Sequence, residues 1–76
     1  MRGHDELVAA LRSLDGLKER SPEHFYRRSK PFLHFHGTGD ERCADVRFTA
    51  DWERVPAATP AERAALLARV TEFVAP

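Results

Sequence analysis

Residues 30–48, KPFLHFHGTGDERCADVRF, decide the fold because they predict a β-hairpin with one apolar and one polar face. Side chains on successive residues of a strand point to opposite faces of the sheet. Strands are predicted over residues 32–36 and 43–48, joined by a loop at 37–42 whose glycines tolerate positive φ. The side chains expected to face the core are Leu33, Phe35, Ala44, Val46 and Phe48. The opposite set comprises Phe32, His34, His36, Cys43, Asp45 and Arg47.

The length of the loop sets the expected register of this hairpin. The expected cross-strand pairs are His36 with Cys43, His34 with Asp45, and Phe32 with Arg47. A slip by two residues would keep the faces and change the pairs, whereas a slip by one would bury the charged side chains. The polar set should therefore share one face even if individual pairs differ.

The first part of the chain predicts a helix and a connection. Residues 5–15 carry leucines at spacings of four and three, which is typical of a helix with one apolar stripe. Gly16 follows where helices often end in a left-handed residue. His4, just before this helix, is expected to be a loose terminal residue. Residues 18–23 are polar and contain a Ser-Pro step, so we expect a connection there.

The segment directly before the hairpin, residues 24–28, predicts a further strand with the sequence HFYRR. Phe25 would face the core, and the opposite face would present His24 and Tyr26. A tight turn at residues 29–31 would join this strand to the hairpin.

The part of the chain after the hairpin predicts a second helix. Residues 49–55 form one more short strand or a bend. The sequence TPAE at 59–62 is typical of a helix start, because threonine caps, proline takes the first position and glutamate reaches back to the cap. The expected buried face comprises Leu66, Leu67, Val70, Phe73 and Val74. The expected solvent-facing side chains are Arg63, Arg69 and Glu72.

Together these elements predict one small α+β domain over residues 1–76. We expect a two-layer α-β-β-β(-β)-α arrangement, in which an antiparallel meander carries both helices on one face. The sheet surface that no helix covers is called the open face below. Its expected members are His24, Tyr26, Phe32, His34, His36, Cys43, Asp45 and Arg47.

Composition narrows the class of protein. Twelve basic and twelve acidic residues cancel, which argues against a protein whose main task is to grip nucleic acid or an anionic membrane. No stretch is apolar enough to span a membrane. The single cysteine suits a reducing cytoplasm, so we predict a cytoplasmic location. Ten arginines against two lysines, beside eleven alanines, indicate a GC-rich bacterial genome.

Metal binding is one hypothesis for the open face. His34 and His36 project from the same side of one strand, and Asp45 from the neighbouring strand could add a carboxylate. Such a set suits zinc, iron or nickel, with Cys43 or His24 as further candidate ligands. The alternative is that these are ordinary polar residues on the solvent-exposed face of a sheet. The sequence implies no established cofactor.

Catalysis is a second hypothesis, and it is the less favoured class. Asp45 opposite His34 resembles the base and orienting carboxylate of a triad, with Cys43 as a nearby nucleophile. Against it, a domain of this size offers a shallow face, and no nucleophile elbow is present. Cys43 is equally explained as a small apolar filler.

Nucleic-acid binding is a third hypothesis. The cations Arg27, Arg28 and Lys30 lie near Tyr26, so phosphates could meet cations while bases stack on the ring. A solvated, charged sheet edge explains the same residues. The zero net charge makes this partner possible without favouring it.

Protein binding is the fourth hypothesis and the preferred one. Tyr26, Phe32, Trp52 and Arg47 are residue types enriched at interfaces. A homodimer across the open face would also relieve the small core of a short chain. We therefore expect a binding domain whose partner is a protein or a second copy.

The sequence FYRRSKPFLHFH, followed by ADVRF and by Trp52-x-x-Val55, resembles short uncharacterised proteins of actinobacteria and related GC-rich bacteria. It is also distantly similar to small bacterial domains named luciferase-like, in which histidines lie on adjacent strands. The similarity covers about residues 25–74. It implies no established chemistry, and no catalytic residue is carried over.

Overall fold

The fold is a five-stranded antiparallel sheet followed and preceded by a helix, as seen in a computed structural model that describes residues 3–76. Residues 1 and 2 of the predicted domain lie outside the described residues. The elements are α1 (His4–Arg12), β1 (Lys18–Ser21), β2 (His24–Arg27), β3 (Lys30–His36), a 3₁₀ turn (Gly39–Glu41), β4 (Cys43–Val46), β5 (Glu53–Pro56) and α2 (Pro60–Val74). The strands lie in the order β1-β2-β3-β4-β5, so each pairs with its neighbour in sequence. The predicted α+β meander is confirmed.

Both helices cover the same face of this sheet. The buried stripe of α1 contains Leu7 and Leu11, and that of α2 contains Leu66 and Val70, all fully buried. They pack on the inward-facing side chains of the strands, which are Phe25, Leu33, Ala44 and Val46. Within residues 3–76 the opposite face carries no helix, as the alternation of the hairpin predicts.

The central hairpin has the expected register. His34 pairs with Asp45 and His36 with Cys43 across β3 and β4. The peptide N–H of Arg47 donates to the carbonyl of Phe32 at 2.8 Å, which continues the ladder by one step. The alternating pattern is enough to predict the register here, because a slip by one residue would bury charged side chains.

The expected connection at residues 18–23 is wrong, since residues 18–21 form the edge strand β1. Lys18 pairs with Tyr26, and Glu19 with Phe25. The Ser-Pro step lies at the turn, where Glu23 has a φ of 63°, so proline ends the strand without interrupting it. An edge strand with a mostly exposed pattern carries few apolar residues, and so it lacked the signal of a strand.

A bulge in β3 changes the side on which one aromatic ring lies. Tyr26 pairs with Pro31, whereas the preceding residue, Phe25, pairs with Leu33, which leaves Phe32 as the extra residue. Its side chain is only 3% exposed, and its ring stacks on Phe73 of α2 at 5.6 Å. The prediction that Phe32 lies on the open face is therefore wrong, because the bulge breaks the two-residue period.

The turn before this bulge also differs from expectation. Only Arg28 and Ser29 separate β2 from β3, and their φ values are 53° and 67°. Two consecutive left-handed residues are typical of the type I′ hairpin turn, whose twist matches that of the strands. Pro31 accordingly lies inside β3.

Gly16 does not end α1 in the expected left-handed conformation. The helix stops at Arg12, and within residues 3–76 the glycines with positive φ are Gly37 and Gly39. A Cβ atom at Gly16 would lie 2.8 Å from Cβ of Val74. Glycine is needed there because the end of α2 passes close to the chain.

Two polar side chains are more buried than expected. Arg63 is 8% exposed, since it lies three and seven residues before Leu66 and Val70 on the same helical stripe. Its Nη1 donates to the carbonyl of Ala57. The side chain of His4 is 11% exposed, and its Nε2 lies 2.6 Å from a carboxylate oxygen of Glu23. His4 is thus part of α1 and not a loose end.

Helix length bears on membrane insertion. Neither α1 nor α2 is long and apolar enough to cross a bilayer, as judged over residues 3–76.

Candidate metal centre on the open face

A row of polar side chains crosses the open face at the middle of the sheet. His24, His34, Asp45 and Arg54 are successive cross-strand partners on β2, β3, β4 and β5. Directly opposed residues on one face have neighbouring side chains. His36 lies two residues from His34 and therefore projects from the same face.

Asp45 is the centre of this row. Its Oδ2 lies 2.8 Å from Nε2 of His36 and 3.5 Å from Nε2 of His34. From the other side, Arg54 donates from Nε to Oδ1 at 3.0 Å and from Nη2 to Oδ2 at 3.3 Å. One carboxylate, 15% exposed, thus joins two imidazoles and a guanidinium.

The surroundings of Asp45 and His34 lower the pKa of both groups. The hydrogen bond from Arg54 lowers the pKa of Asp45 below its ordinary value, which keeps the carboxylate ionised. Burial lowers the pKa of His34, and the positive charge of a protonated His36 would lower it further. Near neutral pH an ionised carboxylate therefore lies beside a neutral His34 imidazole. These are the forms in which both groups bind metal ions.

Aromatic rings surround His34. Its ring stacks nearly parallel to that of His24 at 5.8 Å and lies edge-on to that of His36 at 4.7 Å. The Trp52 ring lies 5.0 Å away and is 42% exposed. The guanidinium of Arg47 lies over the same indole ring, 5.7 Å from its centroid. These contacts limit how far the His34 ring can turn.

One group of three ligands emerges from this arrangement. Within residues 3–76, His34, His36 and Asp45 are the set whose possible ligand atoms all lie within 4.8 Å of one another. They are also the three residues that the sequence nominates for a metal. Cys43 is the cross-strand partner of His36 but does not join this set.

The other predicted members of the open face lie apart from this centre. Tyr26 contacts the guanidinium of Arg20 at 5.0 Å toward the β1 edge. Arg47 lies beyond Trp52, and Phe32 lies in the core. The ligand set therefore comprises three of the eight predicted residues.

The sequence does not nominate Arg54, and it nominates Trp52 only for the protein-binding surface. Arg54 orients Asp45, and Trp52 packs against His34. Both follow from the two-residue period of β5, since residues 52 and 54 point the same way. The alternation is visible in the sequence, but the sequence allows either a strand or a bend at residues 49–55, so the facing of these residues is not fixed.

The residues nominated for nucleic-acid binding lie on both faces of the sheet. Arg27 lies over the ring of Phe73, 4.8 Å from its centroid, on the helix side of the sheet. Tyr26, the preceding residue, points to the opposite face, because strand residues alternate. Arg28, in the turn, lines a recess together with Tyr26.

The two imidazoles and one carboxylate can hold a divalent transition metal ion or exchange a proton. They leave coordination positions that a water molecule or an anion could fill. Comparison with known proteins adds no family to these observations. No family model, no curated protein and no solved structure matches the chain.

Proposed function

We propose that this protein binds a divalent transition metal ion of the zinc type on its open face. The proposed ligands are Nε2 of His34, Nε2 of His36 and Oδ2 of Asp45. The observation that supports it is the convergence of both imidazoles on one carboxylate oxygen, at 3.5 and 2.8 Å.

The spacing of the atoms favours coordination. Ligand atoms about 2.0–2.2 Å from a tetrahedral zinc ion lie roughly 3.3–3.6 Å from one another. The His34–Asp45 separation already has this value, and the His36–Asp45 separation needs to open by about half an ångström. All three ligand atoms lie within 4.8 Å of one another, so side-chain rotations on the paired strands would bring them to this spacing.

Electrostatics supports the same proposal. Metal ligation requires a neutral imidazole and an ionised carboxylate. The lowered pKa of Asp45 and the lowered pKa of His34 both favour these forms at neutral pH. Acidification should release the metal as the imidazoles become protonated.

Arg54 would act as a second-shell residue. It donates to Oδ1 of Asp45 and, more weakly, to the Oδ2 atom that would bind the metal. On metal binding it would keep the bond to Oδ1 and thereby orient the carboxylate. Partners of this kind typically contribute about 10- to 100-fold in metal affinity.

The test is calorimetric titration of the metal-free protein with Zn²⁺. We expect one saturable site in the parent, and a loss of more than about 100-fold in affinity in His36→Gln, which removes a ligand directly. His24→Gln is the matched control, because His24 lies on the same face but outside the ligand set. Equal binding by the parent and His36→Gln would refute the proposal.

A second candidate function is the predicted protein-binding role of the same face, including a homodimer. The half-exposed Trp52, with Arg47 over its ring, supports it. Sedimentation of the parent and of Trp52→Ala tests this role. A concentration-dependent dimer that Trp52→Ala dissociates would support it, and a monomeric parent at high concentration would exclude the homodimer.

A further inference from the structure

We infer that a second site, independent of the metal centre, binds the phosphoryl group of a small molecule. It is a recess of about 330 Å³ between the β2–β3 turn and the loop before β5. Arg27, Lys30 and Arg47 line it, with Pro31 and Phe32 beside them. None of its lining residues carries a carboxylate.

Some cations elsewhere in the molecule are already neutralised by a carboxylate, unlike those of this recess. Arg12, Arg54 and Arg69 each form an ion pair with a carboxylate of a neighbouring element. Over residues 3–76, the three cations of the recess form none. They therefore meet in one depression with their charges uncompensated by protein, and such a depression attracts an anion.

Contacts within the protein also position two of these cations for ligand binding. Arg27 is held over the ring of Phe73, and Arg47 donates from Nε to the carbonyl of Ala50 at 3.3 Å. Each of these contacts leaves further guanidinium N–H groups for a ligand. Two guanidinium groups and one ammonium suit a doubly charged tetrahedral oxyanion, which accepts several charge-assisted hydrogen bonds.

A hydroxyl group completes the recess. Oγ1 of Thr49 accepts a hydrogen bond from the peptide N–H of Asp51, so its own proton remains free to donate. The volume is at the small end of the range for ligand pockets. It suits a phosphate ester or pyrophosphate and not a large cofactor.

Two other recesses with more than one cation in their lining also contain carboxylates. One, of about 340 Å³, is lined by Lys18, Arg20 and Arg28 but also by Asp15. The other is larger. It has a volume of about 480 Å³ and is lined by Arg12 and Arg20, but also by Asp5, Glu19 and Glu23. Because acids line that recess and Arg12 is already paired with Glu19, it offers no comparable anion site.

The test is an NMR titration of the metal-free protein with inorganic pyrophosphate at low salt, since pyrophosphate also chelates metals. We expect saturable shifts of the amides at 27–32 and 47–50. Lys30→Gln and Arg47→Gln should each weaken binding roughly tenfold, the effect of losing one charge-assisted contact. Lys18→Gln, an exposed strand lysine outside the recess, should bind as the parent does.

Several outcomes would overturn the inference. They are no saturable shift, an equal loss in Lys18→Gln, or shifts spread over all cations. A short single-stranded oligonucleotide that binds far more tightly than pyrophosphate would point to a nucleic-acid surface instead. His36→Gln should bind pyrophosphate unchanged, so this site and the metal centre can fail separately.

Discussion

Asp45 is the residue on which the open face depends. Its carboxylate accepts a bidentate pair of hydrogen bonds from Arg54 and lies within 3.5 Å of both imidazoles. The alternation of β4 predicts that Asp45 faces away from the core, and the hairpin register predicts His34 opposite it. The two-residue period predicts that Arg54 shares a face with Trp52, but no turn signal fixes the start of β5 and hence the pairing of Arg54 with Asp45.

The charge of Asp45 should make stability depend on pH. Its pKa is lowered in the folded protein, so its contribution is complete above the unfolded value, 3.8, and is lost as the pH falls through the lower folded value. Asp45→Asn should therefore be less stable than the parent at neutral pH, with a gap that closes on acidification. Urea unfolding of both proteins from neutral to strongly acidic pH measures this. A constant gap would show that Asp45 contributes through shape and not through charge.

Phe32 shows how one inserted residue defeats a sequence pattern. Its side chain is buried against Phe73 and Phe48, contrary to the predicted alternation. Phe32→Ala should lower the free energy of unfolding by about 3 kcal/mol or more. Trp52→Ala removes a larger but half-exposed ring and should cost less than about 1 kcal/mol. Thermal and urea unfolding compare the two, and equal costs would contradict the placement of Phe32.

At the scale of elements, the predictable parts were those with two agreeing signals. The central hairpin combined alternation with a glycine-containing loop, and α2 combined periodicity with a start signal. The strand β1 had neither apolar alternation nor a glycine turn, so it was missed. Sequence patterns reveal a strand through its buried apolar residues. The edge strand β1 is exposed at most positions, so its sequence shows no such pattern.

The capping box of α2 is an element with a measurable contribution. Oγ1 of Thr59 accepts from the N–H of Glu62 at 3.1 Å, and Oε1 of Glu62 accepts from the N–H of Thr59 at 3.1 Å. Thr59→Ala should cost about 1 kcal/mol, because it leaves a helix-end N–H without its protein partner. Thr71→Ala, at an exposed position within the same helix, is the control and should change stability by less than about 0.5 kcal/mol. Indistinguishable variants would contradict a stabilising cap.

At the scale of the whole molecule, two helices on one side leave one sheet face to carry function. The sequence predicts this division, because the apolar residues of β3 and β4 suffice for a single covered face. The same division places the proposed metal ligands on paired strands.

The metal centre is tested most directly by NMR of the histidine ring nitrogens during addition of one equivalent of Zn²⁺. We predict that the Nε2 signals of His34 and His36 shift together and saturate at one metal ion per chain. The signals of His4 and His24 should change little, because neither belongs to the ligand set. Small, parallel shifts of all four histidines, or no shift at His34 and His36, would contradict a metal site on the open face.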